Sequence, residues 1–421
     1  MFMRILPSKL QGTLKIPPSK SHSIRAVIFA LMASGTSYIE NALISPDVEA
    51  AIRAVELFGA VVKKNKGVLE ITGVGGNLRA AGDVINAGNS GLILRFIAAI
   101  GALQRSYTII TGDDSIRHRR PMAPLLSGLQ QLGAFAVSST LDGYAPIVVR
   151  GPMEGNKARI TGEDSQPVSA LLIASSFRNG STTLIVDNPG ETPWIDMTLY
   201  WLRRFGADIT HKDYSHYKIS GGLSYSGFST VIPGDLSSLS YPVAAALITG
   251  SVLTISSVDM SDIQGDKRFI DILISMGASI EIEGTTLILK KGSFQGGVID
   301  VNGCIDMVTI IAVVACFAKQ ETVITGAGIA RHKESDRLFA ITQELRKMGA
   351  HIVETQDGLV IQPSILKGAV LDAHSDHRIA LALSVAALGA QGESIIHGTS
   401  CIAKTYPYFQ EAFSSIGGQI L

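Results

Sequence analysis

The chain is poor in the features that would assign it to a specialised class. It has three cysteines in 421 residues, Cys304, Cys316 and Cys401, with no close pairing, so neither a zinc cage nor a disulfide framework organises it. Charge of one sign is missing too. Lys plus Arg and Asp plus Glu stand at 36 each, which removes any general attraction to nucleic acid or an anionic membrane, and anion binding must be local. The longest apolar run, Val308 to Ala318, is about half the roughly 20 residues that a membrane span needs, and it reads as a buried helix. The segment Met1 to Gly12 carries Arg4, Pro7 and Lys9 and lacks a long apolar stretch, so no secretory signal is expected and the cytoplasm is the expected location.

What is present is a repeat. An amphipathic helical pattern ends in an apolar residue, then Gly, then Ala in every copy but the last, then a short apolar strand. It recurs at Gly59, Gly133, Gly206, Gly277, Gly349 and Gly417. A glycine just past a helix supplies the left-handed residue that closes it. The spacing of roughly 70 residues exceeds solenoid periods, so each copy is a small α/β unit and three can share one core. Length and repeat together predict two domains of three units, with a hinge at Pro233-Gly234-Asp235.

Cations recur where these units start their helices. Arg331-His332-Lys333-Glu334-Ser335-Asp336-Arg337 precedes an amphipathic pattern through Leu338, Ile341, Leu345 and Met348, placing the cluster in a helix's first turns with Lys333 and Arg337 on one face and Glu334 off it. The alternative is a solvated face laced with ion pairs. Pro18-Ser19-Lys20-Ser21-His22-Ser23-Ile24-Arg25 puts Lys20, Ser21 and Arg25 near another helix start, where backbone N–H groups favour anions. Gly88-Asn89-Ser90-Gly91 with Arg95, Arg117 to Pro121, Asp164-Ser165-Gln166, Asp376-His377-Arg378 and Ala403-Lys404-Thr405 extend the series, although each alone can be only a turn or a cap. Asp306, ahead of the apolar run, reads as a helix cap or as a buried acid or base. Lys20, Arg25, Arg120, Lys333, Arg337, Arg378 and Lys404 thus stand at helix starts in different repeats. If those starts face one another, they form a cationic cleft for small dianions.

These motifs, with Gln264-Gly265-Asp266, resemble the enolpyruvyl transferase family across essentially the whole chain, and within it the branch acting on shikimate 3-phosphate. The resemblance implies an α/β fold of six βαβαββ units, three per domain, with an inter-domain active-site cleft. It also implies a discontinuous domain 1–19 plus 234–421 and a second domain 20–233. It implies transfer of the enolpyruvyl group of phosphoenolpyruvate to the 5-hydroxyl of shikimate 3-phosphate by addition and elimination, in a monomer, with no metal and no organic cofactor, and with domain closure expelling water. Lys20, Asn89, Gly91, Arg120, Gln166, Arg337, Arg378 and Lys404 would hold phosphoenolpyruvate. Lys20, Ser21, Arg25, Ser165, Gln166, Asp306 and Lys333 would hold shikimate 3-phosphate. Asp306 would be the base at the 5-hydroxyl and Glu334 the acid at the methylene carbon, with Lys20 the third catalytic group. Gly91 implies inhibition by the phosphonate glyphosate, competitive with phosphoenolpyruvate.

The chain departs from the family pattern at Asp164 and Glu191, where phosphate-binding serines are usual, and at Leu92, Trp194 and Ile329. A carboxylate roughly 4 Å from a phosphate charge costs about 4 kcal/mol at an effective dielectric near 20. The expectation is therefore that both carboxylates turn aside and brace cations, leaving Ser165, Lys333 and Arg331 for the phosphate. The competing readings are transfer to another acceptor such as UDP-N-acetylglucosamine, whose enzymes carry a loop cysteine that residues 111 to 122 lack, and a non-catalytic anion-binding scaffold.

Overall fold

A computed structural model describes residues 1–65, 67–290 and 292–421. Its contacts divide the chain into a split unit, Met1–Ser19 with Pro233–Leu421, and a continuous unit, Lys20–Ile232. The chain crosses between them at Ser19 to Lys20 and again at Ile232 to Pro233.

One design builds both units. In the third repeat the strand Lys157–Thr161 leads through the helix Ser165–Phe177 to the strand Thr182–Asp187, which pairs parallel to the first. The helix Thr192–Arg204 then leads to the hairpin strands Ile209–Lys212 and His216–Ile219, added antiparallel, so the sheet runs first strand, second, fourth, third. The described residues form six such four-stranded sheets. The first sheet of the continuous unit borrows its outer strand, Ser229–Val231, from that unit's end. In the split unit, Phe2–Leu6 and Gln11–Lys15 enter sheets otherwise made far downstream. These borrowed strands tie each unit's ends into its own sheets.

The helices fall into two sets by sequence. Lys20–Met32, Gly91–Gly101 and Ser165–Phe177 in the continuous unit, and Leu236–Thr249, Val308–Cys316 and His377–Gly389 in the split unit, are apolar around most of their circumference and nearly wholly buried. A helix without a polar face has nowhere to go but the interior. Pro46–Leu57, Thr192–Arg204 and Arg337–Lys347 have one apolar face and close the outside. Each outer helix ends at one of the six marker glycines, all at φ between 89° and 103°, before an edge strand. No helix among the described residues is long and apolar enough to cross a membrane.

The inner helices start with polar groups. Ser90, Asp164, Asp235 and Asp376 cap four of them by accepting from backbone N–H groups. In each unit these starts are joined by side-chain hydrogen bonds, which gathers the chemistry at one end of the trio.

Candidate functional site

In the split unit the centre is Arg337, which is 1% exposed. Its Nη1 donates to Asp306 Oδ1 at 2.7 Å, its Nη2 to Glu334 Oε2 at 2.7 Å and its Nε to Asp376 Oδ2 at 2.8 Å. Arg378 Nη2 donates to the other Asp306 oxygen at 2.9 Å and its Nη1 to the Tyr241 hydroxyl at 3.2 Å. Lys404 Nζ reaches Glu334 Oε1 at 2.5 Å. Burial pulls the Arg337 guanidinium down, but Asp376, Glu334 and Asp306 outweigh it and hold it well above its usual range. Arg378 is raised likewise against burial, by Tyr241, Asp306 and Asp266. The Tyr241 hydroxyl is pushed up to about 12 by burial, partly offset by Arg378. These buried charges persist because each is matched by hydrogen bonds.

Three expectations change here. The helix begins at Arg337 with Asp336 as its cap, and Lys333 is extended at φ −94°, so Lys333 and Arg337 do not share a helix face. Glu334 is not turned away but bonds Arg337. Asp306 does not cap the apolar helix, whose start at Val308 has no side-chain cap. It lies in a tight turn, Asn302–Met307, and faces the two arginines.

The sequence reading gave no role to Asp376, which caps Arg378 at 2.8 Å and also clamps Arg337 and Ser335. A cap placed one turn from a buried arginine was the available signal. Asp266 is fully buried, accepts from the Ser237 hydroxyl, and is raised to about 7 by burial and then by Asp306. Glu334, Asp376 and His377 offer three donor atoms within 4.8 Å of one another. Arg337 and Lys404 already occupy the carboxylates among them, so a metal ion would have to enter against two cations.

The continuous unit is organised differently. Arg25 is buried and donates to Thr198 Oγ1 at 2.9 Å, to the Trp194 carbonyl at 3.2 Å and to the Ser21 carbonyl at 3.2 Å, with Phe96 5.4 Å from its centre. Burial lowers its pKa to about 9. Lys20 lies 3.8 Å from Asp47. Arg95 donates to Gln166 Oε1 at 2.9 Å and to the Pro121 and Gly91 carbonyls, and it pairs with Asp164 at 3.0 Å. A side chain at Gly91 would meet Arg95, Arg120 and Gln166 atoms at 2.8, 3.0 and 3.2 Å, so glycine is what lets the three converge. The Asn89 amide donates to Asp113 and Ser115.

Asp164 therefore braces a cation, as expected. Glu191 accepts from the Ser165 amide at 3.0 Å and the Ser165 hydroxyl at 3.1 Å. Ser165 is already engaged, and so is Arg331, which is held by Asp336 and Glu354. The sequence named both as open to a phosphate because neither contact leaves a mark in local spacing.

Six copies of one mixed sheet in two units, with buried cations at the starts of the inner helices, define an enolpyruvyl transferase. The chain belongs to the EPSP synthase (3-phosphoshikimate 1-carboxyvinyltransferase) family, whose model matches residues 6–413. It is 41% identical over 419 residues to the 3-phosphoshikimate 1-carboxyvinyltransferase of Chlamydia pneumoniae, covering 99% of this chain and 94% of the relative. It is 40% identical over 420 residues to that of Acetivibrio thermocellus, covering 100% and 99%. Among solved structures, an EPSP synthase from Acinetobacter baumannii superposes with a TM-score of 0.82 at 28% identity, covering 100% of this chain and 99% of that one. The enolpyruvyl transferase NikO from Streptomyces tendae, at 18% identity and TM-score 0.77, shares the fold. The chain is thus a transferase that moves the enolpyruvyl group of phosphoenolpyruvate to shikimate 3-phosphate.

Proposed function

We propose that the two arrays described above divide the work of this reaction. Arg337, Arg378 and Lys404, with Lys20, Asn89, Gly91, Arg120 and Gln166, hold phosphoenolpyruvate. Lys20, Ser21, Arg25, Ser165, Gln166, Asp306 and Lys333 hold shikimate 3-phosphate. Asp306 takes the 5-hydroxyl proton, and Glu334 delivers the proton to the methylene carbon.

The observation that carries this assignment is the way Asp306 and Glu334 are held. Both bond buried cations, Asp306 through Arg337 and Arg378, and Glu334 through Arg337 and Lys404. A carboxylate so held is a poor base. When the phosphate and carboxylate of phosphoenolpyruvate take over these donors, both side chains lose stabilisation of their charged form and become stronger proton acceptors. Glu334 then takes up a proton as the ligand binds and passes it to the methylene carbon. The adjacent carbon becomes electrophilic, the 5-hydroxyl oxygen bonds to it, and Asp306 accepts the hydroxyl proton. In the second half the Glu334 carboxylate takes a methyl proton back, the double bond re-forms, and the carbon–oxygen bond to phosphate breaks, with the proton held by Asp306 leaving on inorganic phosphate. Placing acid and base on individual side chains matters because the surrounding cations oppose positive charge developing on the substrate.

The finer reading includes a monomer, as the family resemblance implies, acting in the cytoplasm, a location in keeping with three unpaired cysteines. The test is phosphate release from phosphoenolpyruvate with shikimate 3-phosphate, shikimate or UDP-N-acetylglucosamine as acceptor. Release is expected with the first alone. Glu334→Gln should lower turnover by about 10²- to 10⁴-fold, the usual range for a lost general acid, while acceptor affinity stays within about threefold. Turnover at wild-type rate in that variant removes Glu334 from the chemistry.

A further inference from the structure

We infer that Glu191 is a resident anion in the acceptor's phosphate subsite, and that the phosphate binds only by taking over the Ser165 donors that Glu191 holds. This rests on the proposed placement of shikimate 3-phosphate at Lys20, Ser21, Arg25 and Ser165. Glu191 is 2% exposed, and one of its carboxylate oxygens accepts from both the Ser165 amide and the Ser165 hydroxyl. That amide is among the first N–H groups of the helix Ser165–Phe177, which have no partner inside the helix and are the natural seat for an anion. The next amide, of Gln166, donates to Asp164 at 3.0 Å. Side chains of this chain therefore occupy the donors a substrate phosphate would use.

Local backbone geometry aims Glu191 there. Gly190 donates to the Gly162 carbonyl at 2.9 Å, and a side chain at Gly190 would meet the Glu163 carbonyl oxygen at 2.6 Å, so the turn lies tight against the loop before Ser165. Glu191 then adopts φ 47°, ψ 37°, a left-handed conformation uncommon for a side chain of this size, and directs its carboxylate inward from the start of the helix Thr192–Arg204. Strained backbone at a buried charged side chain is a mark of a functional position rather than of stability.

A carboxylate and a phosphate cannot both accept from Ser165 without strong repulsion. Glu191 has to leave when the phosphate arrives, and it returns to satisfy the buried donors when the phosphate departs. Free inorganic phosphate brings no ring contacts to offset that displacement, whereas the whole acceptor does. Glu191 is thus a specificity-determining residue that admits the phosphorylated acceptor and excludes the phosphate the reaction releases.

The experiment titrates wild type, Glu191→Gln and Glu191→Ser with shikimate 3-phosphate, shikimate and inorganic phosphate, by calorimetry and by the fluorescence of Trp194, three residues away. With the charge removed, shikimate 3-phosphate should bind about tenfold tighter and inorganic phosphate should bind in the millimolar range, while shikimate is unchanged. Shikimate 3-phosphate binding equally or more weakly to both folded variants overturns the inference. If neither variant folds, the wild type decides alone: inorganic phosphate that competes with shikimate 3-phosphate at micromolar concentration overturns it, and phosphate that fails to compete below about 10 mM supports it. The underlying reading fails separately, if wild type releases no phosphate from phosphoenolpyruvate when shikimate 3-phosphate is supplied.

Discussion

The two units solve one architectural problem identically, but the arginines at their centres, Arg337 and Arg25, are held in opposite ways. Each packs three inner helices behind three repeats of a mixed sheet and gathers polar groups at the helix starts. In the split unit the gathered arginines are neutralised from within: Arg337 touches three carboxylates, and Arg378 shares Asp306 with it. In the continuous unit Arg95 is likewise paired, with Asp164, but Arg25 is held by hydroxyl, carbonyl and ring contacts, and burial lowers its pKa where carboxylates raise that of Arg337. The lesson is that buried cations can be held ready for anions by two routes. One supplies a displaceable internal partner, and the other leaves the charge underpaired so that substrate supplies the partner.

The largest expected effect breaks the internal neutralisation. Arg337→Met leaves Asp306, Glu334 and Asp376 facing one another in the interior. It should cost about 3 to 5 kcal/mol of stability, read as a lower urea midpoint, together with loss of turnover. The same change at Arg25 removes a cation that burial already disfavours. Arg25→Met should shift stability by no more than about 1 kcal/mol yet raise the KM for shikimate 3-phosphate by about tenfold or more. Equal destabilisation by the two variants would erase the distinction between the units.

A pH series sharpens it further. Asp266 is raised to about 7 in the fold, above its unfolded value near 4, and it faces Asp306, Arg378, Asp235 and Ser237. A raised carboxylate favours the fold while protonated, so its contribution is full below about pH 4 and is lost as pH climbs through about 7. Asp266→Asn should flatten the decline in stability between pH 5 and 8, measured by melting temperature across that range. An unchanged slope assigns the decline to other groups. The smallest effect is at Gly91. An added methyl must push aside the ends of the Arg95 and Arg120 side chains and Gln166, so Gly91→Ala should leave the protein folded and raise the KM for phosphoenolpyruvate by about tenfold or less. If it lowers the KM, the crowding argument fails.

Most of the fold was legible in the chain because its signals are local. A glycine after an apolar helix end reports a left-handed closing residue wherever it occurs, and all six marker glycines have that conformation. The all-apolar pattern of His377–Gly389 or Val308–Cys316 similarly reports an interior position without reference to any neighbour. The borrowed strands were not legible. Pairing of Ser229–Val231 with Ser34–Glu40 joins segments nearly 200 residues apart, and neither carries a mark of the other.

By itself the sequence determined which residues would carry charge into the interior, since an arginine or aspartate beside an apolar helical run is buried with that helix. It also determined the repeat count and the kind of ligand those charges require. The tertiary structure decided who partners whom. Asp306 reads from the residues alone first as a cap until Arg337 and Arg378 are brought against it, and Glu191 reads as one more helix-start carboxylate until a left-handed turn points it at Ser165. The physical reason is range. Caps, turns and periodicity act over a few residues and leave their mark in spacing, whereas a charge is redirected by whichever opposite charge or N–H group folding brings within about 3 Å, from anywhere in the chain.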